Sequence, residues 1–297
     1  MKIITFGYSS KTKTIIEQMK RSGIEVYACV SNELSRAKYL AYECNIKNYS
    51  DDFDKVISAT SYDFVYLDLP LEDHYRYAKK ALENNKNVII EKPFTANQKE
   101  ANELISIALG RKLLIFEDNH IYHGLTYKTL KQDLSRIGKI RFVEIASSDF
   151  VNNDALIDNL YNPISFVAGL FDMPITVSYS SLKEGDRELS SIAIFKYKDF
   201  FVTINTALNT KLYNHISISG ENGYIHYEGK INNFDYYDIH SKEGDVKTIS
   251  YKEYYPYVSS FKNILGIYTS KNIRKYDIHA KQILTEIKII DIIKNLL

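Results

Sequence analysis

The sequence has few of the residues that mark specialised protein classes. It contains no tryptophan and only two cysteines, Cys29 and Cys44, among 297 residues. Two cysteines at this spacing form neither a disulfide framework nor the ligand pattern of a metal site. We therefore expect two core thiols in a reducing compartment.

The chain also lacks an excess of charge of one sign and lacks long apolar runs. The formal net charge of +1 gives no general attraction to nucleic acid or to an anionic membrane. No run approaches the length of a transmembrane helix, and Met1–Ile4 enters a predicted strand without a signal-peptide pattern. We therefore expect a cytoplasmic protein with a small-molecule substrate and with neither a nucleic-acid nor a membrane partner.

The most informative stretch runs from Tyr62 to Pro93 and reads YDFVYLDLPLEDHYRYAKKALENNKNVIIEKP. Two apolar runs flank a segment with helical spacing, which predicts a strand, a helix and a strand. Such a unit implies parallel strands with a right-handed crossover. Glu91-Lys92-Pro93 then lies at the carboxyl end of the second strand, where ligands bind in open α/β sheets.

Lys92 is the candidate catalytic residue. A lysine beside a buried strand loses hydration, which lowers its pKa and lets it exchange a proton with a substrate oxygen. The alternative interpretation is a solvated lysine that follows a strand. Pro93 fixes the backbone here, and the bond before it can be cis.

Residues 63–108 resemble the core of the glucose–fructose oxidoreductase/inositol dehydrogenase/MocA (Gfo/Idh/MocA) family. That family has a strand ending in Thr-Pro, a histidine a few residues later, a helix, and a strand ending in Glu-Lys-Pro. Here Leu69 replaces the threonine, and in the helix-opening P-N-x-x-H pattern at residues 70–74 His74 matches whereas Leu71 does not. The resemblance implies an NAD(P)-dependent oxidoreductase of CH–OH groups. It places Leu69, Pro70, His74, Glu91 and Lys92 at the cofactor.

The strand and helix pattern predicts a two-domain α/β protein. Residues 1–118 alternate strands and helices, which predicts a doubly wound parallel Rossmann sheet. Closely spaced strands after residue 170 predict a mainly antiparallel open sheet. Residues 119–297 would thus form an α+β domain for substrate and oligomerisation, and its last helix, from about 276 to 297, could pack on the first domain.

The loop after the first strand departs from the dinucleotide fingerprint G-x-G-x-x-G/A. Residues 7–12 read GYSSKT, so only the first glycine remains. Ser9 can still donate to a phosphate, and the following helix N-terminus favours an anion. With the resemblance, we assign Gly7, Ser9, Ser10 and Thr12 to the cofactor.

Ser31 and Asn32 end the second strand, where an NAD-specific fold has an acidic residue for the ribose. Family members that use NADP often carry Ser-Arg here, so Ser31 agrees with that pattern and Asn32 does not. Lys11 or Arg36 could assist a 2′-phosphate. We expect NADP or NAD, with a preference for NADP, and Ser31 is also a candidate N-cap for the helix from Glu33.

The segment FEDNHIYH at 116–123 resembles the family's crossing from the cofactor domain to the substrate domain. His120, Tyr122 and His123 are therefore expected to line the substrate cleft. Their H-x-x-H spacing could suggest a metal, but no third ligand of matching spacing follows, so no metal site is expected.

A second family motif, Leu-Leu-Asp-x-Gly-x-His-x-x-Asp, corresponds to residues 156–165, which read LIDNLYNPIS. Asp158 matches, whereas Asn162 replaces the histidine and cannot exchange a proton near neutrality. The resemblance then makes Lys92 the acid/base, with the lining residue Tyr161 or a histidine of His120–His123 as a candidate to assist it, and Asp158 and Asn162 the substrate-orienting residues. The departure leaves a second hypothesis open, a family relative without turnover that binds a ligand or a partner.

The family often associates through the exposed face of the second-domain sheet, which predicts a homo-oligomer, a dimer or a tetramer. Phe195, Tyr197, Phe201 and Tyr227 are candidates for that face. The alternative is that these aromatic residues belong to the core.

Overall fold

The computed structural model describes the chain except for residues 60, 149–157, 186, 209, 211 and 253–254 and the side chains of residues 158 and 273. Contacts divide the chain into two compact units. The first contains Met1–His120 and Tyr255–Ile287, and the second contains Ile121–Tyr254 and Lys288–Leu297. The assignment of a cofactor domain to 1–118 and a substrate domain to 119–297 stays a prediction. In the described part of the chain, no helix has the length and apolar character needed to span a membrane.

The first unit contains a six-stranded parallel sheet in the order β3-β2-β1-β4-β5-β6. The predicted doubly wound sheet is confirmed. The strands are β1 (Lys2–Gly7), β2 (Glu25–Val30), β3 (Asn48–Ser50), β4 (Phe64–Asp68), β5 (Asn87–Glu91) and β6 (Ile115–Asp118). The first five helices are α1 (Thr12–Arg21), α2 (Leu34–Glu43), α3 (Phe53–Ile57), α4 (Leu71–Glu83) and α5 (Gln98–Gly110).

The strand order reverses between β1 and β4, which is the topological switch point of the sheet. The last residues of these strands are direct neighbours, because Gly7 pairs with Asp68 in the register of β1 and β4. Glu91 and Asp118 pair in the same way at the ends of β5 and β6. Four strand ends thus bring one glycine and three acidic residues to the carboxyl edge.

Two helix starts differ from the sequence expectation. Glu33, not Ser31, is the N-cap residue of α2, and it makes no side-chain capping bond. Asn97 rather than Thr95 caps α5, because its side-chain oxygen accepts a hydrogen bond of 3.0 Å from the backbone N–H of Glu100. Ser31 is therefore not used as the N-cap of α2.

The second unit contains an eight-stranded sheet in the order β14-β13-β12-β11-β7-β10-β9-β8. Only β7 and β10 pair in parallel among its described strand pairs, so the predicted mainly antiparallel sheet is confirmed. Its helices are α6 (His120–His123), which starts in the first unit, α7 (Leu125–Asp133) and α8 (Asp158–Leu170). The strands are β7 (Ile140–Ser147), β8 (Thr176–Glu184), β9 (Arg187–Lys196), β10 (Phe201–Ala207), β11 (His215–Gly220), β12 (Gly223–Glu228), β13 (Tyr236–Ser241) and β14 (Val246–Ser250).

Two helices close the chain. Helix α9 (Pro256–Ser270) belongs to the first unit, while α10 (Ile273–Lys294) contributes its residues up to Ile287 to the first unit and the remainder to the second. The isoleucines predicted as an apolar stripe, Ile283, Ile287, Ile290 and Ile293, are all buried.

The second sheet has one buried and one open face. Phe195, Tyr197 and Tyr227 are buried, so for these three the core alternative is right. Phe201 lies on the opposite face, because successive strand residues point to opposite sides. It is 44% exposed and pairs with Phe142, which is 40% exposed.

Candidate active site

Gly7 brings the end of β1 into close contact with β4. Its φ angle of +127° is one that side chains rarely permit, and a Cβ atom there would lie 1.7 Å from the carbonyl oxygen of Asp68. The position therefore requires glycine. The loop that follows leads into the N-terminus of α1, as a dinucleotide fold requires.

Asp68 organises this loop from the end of β4. Its carboxylate accepts a hydrogen bond of 2.8 Å from the Ser9 hydroxyl and a second bond from the Thr12 hydroxyl. The Ser9 N–H donates to Thr12 Oγ1 at 2.7 Å, and the Lys11 N–H donates to Ser9 Oγ at 3.1 Å. The hydroxyl and N–H groups that could donate to a phosphate thus donate instead to Asp68 or to other atoms of the loop.

The loop residues nevertheless fit a dinucleotide in their arrangement. Hydroxyl groups stand at positions 9, 10 and 12, and Lys11 contributes a cation. The Lys11 ammonium lies 3.9 Å from the Glu91 carboxylate. A pyrophosphate would have to compete with Asp68 for Ser9 and Thr12.

The ribose end of the predicted cofactor site has its own ion pair. Ser31 is buried, and its N–H bonds the Ser50 carbonyl at 3.1 Å. Arg36 pairs with Glu33 at 2.9 Å and lies over the ring of Tyr8 at 5.6 Å. A 2′-phosphate that used Arg36 would meet Glu33 as a competitor. Asn32 is exposed in the same segment.

Lys92 follows β5 and precedes Pro93, and the bond between them is cis. Burial lowers the pKa of Lys92, and the negative charges of Glu91, Glu117 and Glu286 act in the opposite direction. A lysine with a lowered pKa is better able to release and accept a proton near neutrality. The catalytic role of Lys92 stays a prediction.

Glu91 and Asp118 lie on either side of the Tyr66 hydroxyl. The phenol oxygen is 2.8 Å from Glu91 Oε2 and 2.9 Å from Asp118 Oδ2. The Ser260 hydroxyl donates to the other oxygen of Asp118 at 3.0 Å. Burial raises the pKa of Glu91 and raises that of Asp118 to about 7.

Glu117 is a second buried carboxyl group near Lys92. Its Oε1 accepts from the Phe94 N–H at 2.9 Å, while Oε2 has no hydrogen-bond partner among the described residues. Burial raises the pKa of Glu117 to about 7. The Glu117 N–H donates to His279 Nε2 at 3.2 Å, and burial lowers the pKa of His279 to about 4, so this histidine is neutral.

His74 joins the ends of two strands. Its ring nitrogens lie 2.7 Å from the Leu69 carbonyl oxygen and 2.8 Å from that of Pro93. A neutral imidazole can donate to only one of these acceptors. His74 is 1% exposed, so it positions the Lys92-Pro93 segment against Leu69-Pro70 instead of presenting a ring to a ligand.

The expected substrate residues divide between the units. In the first unit, the His120 ring lies 4.8 Å from that of Tyr257. In the second unit, the Tyr122 hydroxyl donates to the Ser165 carbonyl at 2.6 Å, and His123 and Tyr161 are buried.

The two remaining catalytic candidates lie on α8. Asn162 lies in the first half of this helix and is partly exposed. Asp158 begins this helix, and its side chain lies outside the described residues.

Several residues of this edge escaped the sequence analysis. They share a place at or near the carboxyl ends of β4 and β6, or on the helices packed there. A systematic search for polar residues at predicted strand ends would have found Asp68, whereas nothing local marked those on α9 and α10. The sequence places Glu117 and Asp118 on this edge but gives them no role, and the residues missed altogether are Tyr66, Asp68, Tyr257, Ser260, His279 and Glu286.

Comparison with known proteins identifies the family. Residues 2–119 match the model of an oxidoreductase family with an NAD-binding Rossmann fold, GFO_IDH_MocA. Over these residues the chain is similar to the Gfo/Idh/MocA family of oxidoreductases. The resemblance drawn from residues 63–108 is confirmed.

Two relatives show how far the sequence similarity extends. The uncharacterized oxidoreductase YgjR of Escherichia coli is 22% identical, over 69% of this chain and 69% of its own. The NADP(+)-dependent scyllo-inositol 2-dehydrogenase IolU of Bacillus subtilis is 29% identical, over 39% of this chain and 36% of its own. The chain thus matches little more than a third of that dehydrogenase.

Solved structures share the fold over nearly the whole chain. The 3-ketoreductase KijD10 of Actinomadura kijaniata, in complex with TDP-benzene and NADP, has a TM-score of 0.84 and 18% identity, covering 99% of this chain and 96% of that one. An Agrobacterium radiobacter oxidoreductase, in complex with NAD+, L-tartaric acid and magnesium, also has a TM-score of 0.84. It is 12% identical and covers 100% of this chain and 96% of its own.

Proposed function

We propose that this chain transfers hydride between a nicotinamide cofactor and a hydroxyl or carbonyl carbon of a small, carbohydrate-like substrate, with Lys92 as the acid/base. The observation that supports this most is the position of Lys92. It follows β5 at the switch-point edge of the sheet, and burial lowers its pKa among acidic neighbours.

The proton step assigned to Lys92 is simple. In the oxidation direction the neutral amine takes the hydroxyl proton as the substrate carbon loses hydride, and in reduction the ammonium returns it to the developing alkoxide. The nicotinamide, when bound, supplies or accepts the hydride. Glu91, Glu117 and Glu286 stabilise the ammonium form of Lys92.

The proposed cofactor is NADP or NAD, and NADP is preferred. Ser31 leaves room for a 2′-phosphate where NAD-specific folds have an acidic residue, and IolU is NADP(+)-dependent. Gly7, Ser9, Ser10 and Thr12 would hold the phosphates, with Lys11 as a cation.

Substrate orientation is assigned to residues beyond the matched family segment. By resemblance, Asp158 and Asn162 orient the reacting hydroxyl group, and His120, Tyr122, His123 and Tyr161 contribute lining groups. The relatives suggest cyclic polyols and keto sugars as the first compounds to test, because one is an inositol dehydrogenase and another is a sugar reductase of Streptomyces violaceoruber.

A cofactor titration is the decisive first experiment. NADPH and NADH are titrated separately into the full chain, with heat and the fluorescence of the reduced nicotinamide as readouts. We expect saturable binding with NADPH tighter than NADH, followed by oxidation of the better cofactor with a keto-sugar panel. Binding of neither cofactor at millimolar concentration would contradict the proposal.

A non-catalytic ligand-binding protein is the second candidate. Two observations favour it, the bonds that direct Ser9 and Thr12 toward Asp68 and the asparagine at position 162. In that case the chain would bind a small ligand or a partner without consuming cofactor, and the same titration distinguishes the two.

We also propose that the chain forms a homo-oligomer through the open face of its second sheet. Exposed apolar residues lie on three adjacent strands of this face, β9, β10 and β7. They are Ile192, Ile194, Phe201 and Phe142. Light scattering at micromolar concentration should give a mass above one chain, and Phe201→Glu should lower it, whereas a monomeric wild type would contradict the proposal.

A further inference from the structure

One buried phenol connects two carboxyl groups beside Lys92, one of them fully buried and the other partly exposed. The Tyr66 oxygen lies 2.8 Å from Glu91 and 2.9 Å from Asp118, both within hydrogen-bond distance. Tyr66 is 0% exposed and Asp118 is 1% exposed, whereas the Glu91 side chain is 12% exposed, so solvent screens the charge of Asp118 least. The three residues come from adjacent strands β4, β5 and β6.

The number of available protons decides which of these two contacts of the Tyr66 oxygen can be a hydrogen bond. A phenol has one proton and can donate it to one carboxylate, and an ionised carboxylate is only an acceptor. The second contact becomes a hydrogen bond only if that carboxyl group carries a proton and donates it to the phenol oxygen. With both groups ionised, one short oxygen–oxygen contact would be repulsive.

We propose that Glu91, Tyr66 and Asp118 form a proton-sharing triad that keeps one carboxyl proton at neutral pH and thereby sets the negative charge next to Lys92. The effect on Lys92 rests on the proposed function, whereas the shared proton does not. The triad residues are positioning residues, since they act through Lys92.

The surroundings favour retention of this proton. Burial, and after it the negative charge of Glu91, raise the pKa of Asp118 to about 7. Ser260 donates to the second oxygen of Asp118, which leaves the first oxygen for the phenol. The phenol itself stays protonated, because burial raises its pKa well above the usual value.

Charged and titratable groups reach the triad from every neighbouring element, including Glu117 on β6, whose pKa is raised by burial and also by the charge of Glu91. Lys11 lies 3.9 Å from Glu91 and stabilises its ionised form, while the charge of Asp68 opposes it. Lys92 lowers the pKa of both triad carboxyl groups. The Tyr257 hydroxyl on α9 is neutral at these pH values, because burial raises its pKa. The two cations compensate only part of the acidic charge, so one retained proton is the favourable state.

The retained proton changes how readily Lys92 gives up its own. With the proton, the triad has a charge of −1, and without it the charge is −2. The more negative state stabilises the ammonium form of Lys92 through Coulomb attraction. As pH rises through the titration of the triad, Lys92 therefore binds its proton more tightly.

Two variants with opposite expected effects test the shared proton. Asp and Glu carboxyl carbons of the full chain are labelled with ¹³C, and their chemical shifts are followed between pH 4 and 9. Wild type should show a triad titration near neutrality. Tyr66→Phe should move this midpoint upward, because the phenol bond favours the ionised form of Asp118. Asp118→Asn should remove it, since Glu91 loses its acidic neighbour.

A control variant and a pH profile complete the test. Glu103→Gln on α5 removes a carboxylate that pairs with Lys79 of α4, and it should leave the triad titration unchanged. Wild-type titration of both triad carboxyl groups below about pH 5, or the same midpoint in Tyr66→Phe, would overturn the proposal. Once a substrate is known, Asp118→Asn should shift the pH profile of kcat by about one unit or less. If the triad titrates as expected but Lys92→Met keeps full turnover, the proposed function fails and the triad stands.

Discussion

Each unit of the molecule buries a tyrosine hydroxyl against an aspartate, but the two sites handle charge differently. In the second unit, the Tyr237 hydroxyl donates to Asp133 at 2.7 Å, and Arg136 pairs with the other oxygen of Asp133 at 2.8 Å. In the first unit, Tyr66 faces two carboxyl groups, and no arginine among the described residues forms an ion pair with either of them. The negative charge of Asp133 is thus compensated by Arg136, whereas the first site brings two carboxyl groups to one phenol.

This difference distinguishes a site that stabilises the fold from a site that is suited to proton transfer. A buried carboxylate with a guanidinium and a phenol has its hydrogen bonds and its charge satisfied, so it stabilises one conformation. A buried pair of carboxyl groups with raised pKa values costs stability and is found where proton transfer is required. We therefore interpret the Asp133 site as structural and the edge around Lys92 as functional.

The largest effect is expected from Lys92→Met. If Lys92 exchanges the substrate proton, turnover should fall by about 10²–10⁴-fold. Cofactor affinity should change little, since the phosphates are assigned to residues 7–12. Steady-state kinetics and NADPH titration measure the two quantities, with Lys99→Met on α5 as the exposed control. A Lys92→Met protein with wild-type turnover would contradict the interpretation of the edge around Lys92 as the functional site.

The two aspartates should respond oppositely to replacement by asparagine. Asp133→Asn weakens bonds to Arg136 and Tyr237 and should lower the free energy of unfolding by roughly 1–3 kcal/mol. Asp118→Asn should raise that free energy at pH 8, because it removes a carboxyl group that ionises at a cost in the folded state.

The sign at Asp118 follows from proton linkage. Its folded pKa of about 7 lies above the ordinary value of 3.8, so the folded state binds more protons between these values. Stability is therefore lost as pH rises through this window. Urea unfolding at pH 5 and pH 8 should show the advantage of Asp118→Asn growing with pH. An equal effect of both variants at both pH values would contradict the distinction.

A smaller effect is expected at Asp68. Asp68→Asn keeps the shape of the residue but removes a negative charge from the loop that would hold the cofactor phosphates. Ser9 and Thr12 should then be released more easily, and NADPH should bind about tenfold tighter, a gain of about 1.4 kcal/mol. Calorimetry on this variant and on the exposed control Asp51→Asn checks it. Weaker binding in Asp68→Asn would instead make the carboxylate a necessary organiser of the loop.

The sequence predicted the architecture because the signals were periodic and local. The apolar runs of β4 and β5 and the helical spacing between them sufficed for the parallel sheet and for the place of Lys92. The second sheet followed from short strands and turn residues. Helix caps were less accessible, since Thr95 and Asn97 both qualify by residue type and only backbone geometry selects Asn97.

The electrostatics of the edge could not be predicted in the same way. Asp68, Glu91 and Asp118 are far apart in sequence, and their proximity depends on strand order and register. Glu286 and His279 come from a helix more than 150 residues after β6, so no local pattern connects them with Lys92. His74 was expected at the cofactor, whereas its two backbone contacts show a positioning role that requires the folded chain.

The smallest effect is expected from Asn162→His in the second unit. The family places a histidine at this position of α8, and histidine titrates near neutrality whereas asparagine does not. If Lys92 alone carries the proton step, the added imidazole should leave kcat unchanged or raise it a few-fold, on the order of 1 kcal/mol or less. Asn162→Gln, which keeps the amide, is the matched control, and both are assayed with the substrate found in the keto-sugar panel.

The pH dependence of this variant separates two explanations of a gain. An imidazole that exchanges protons should add a titration near pH 6.5 to the profile of kcat, and the gain should disappear in the Lys92→Met background if the two groups act in one proton step. A gain without a new titration would instead mean that residue 162 only orients the substrate. A large loss of kcat in Asn162→His, with Asn162→Gln unaffected, would show that turnover in this chain requires an amide at position 162. The second unit would then contribute directly to kcat, in addition to the acidic edge around Lys92.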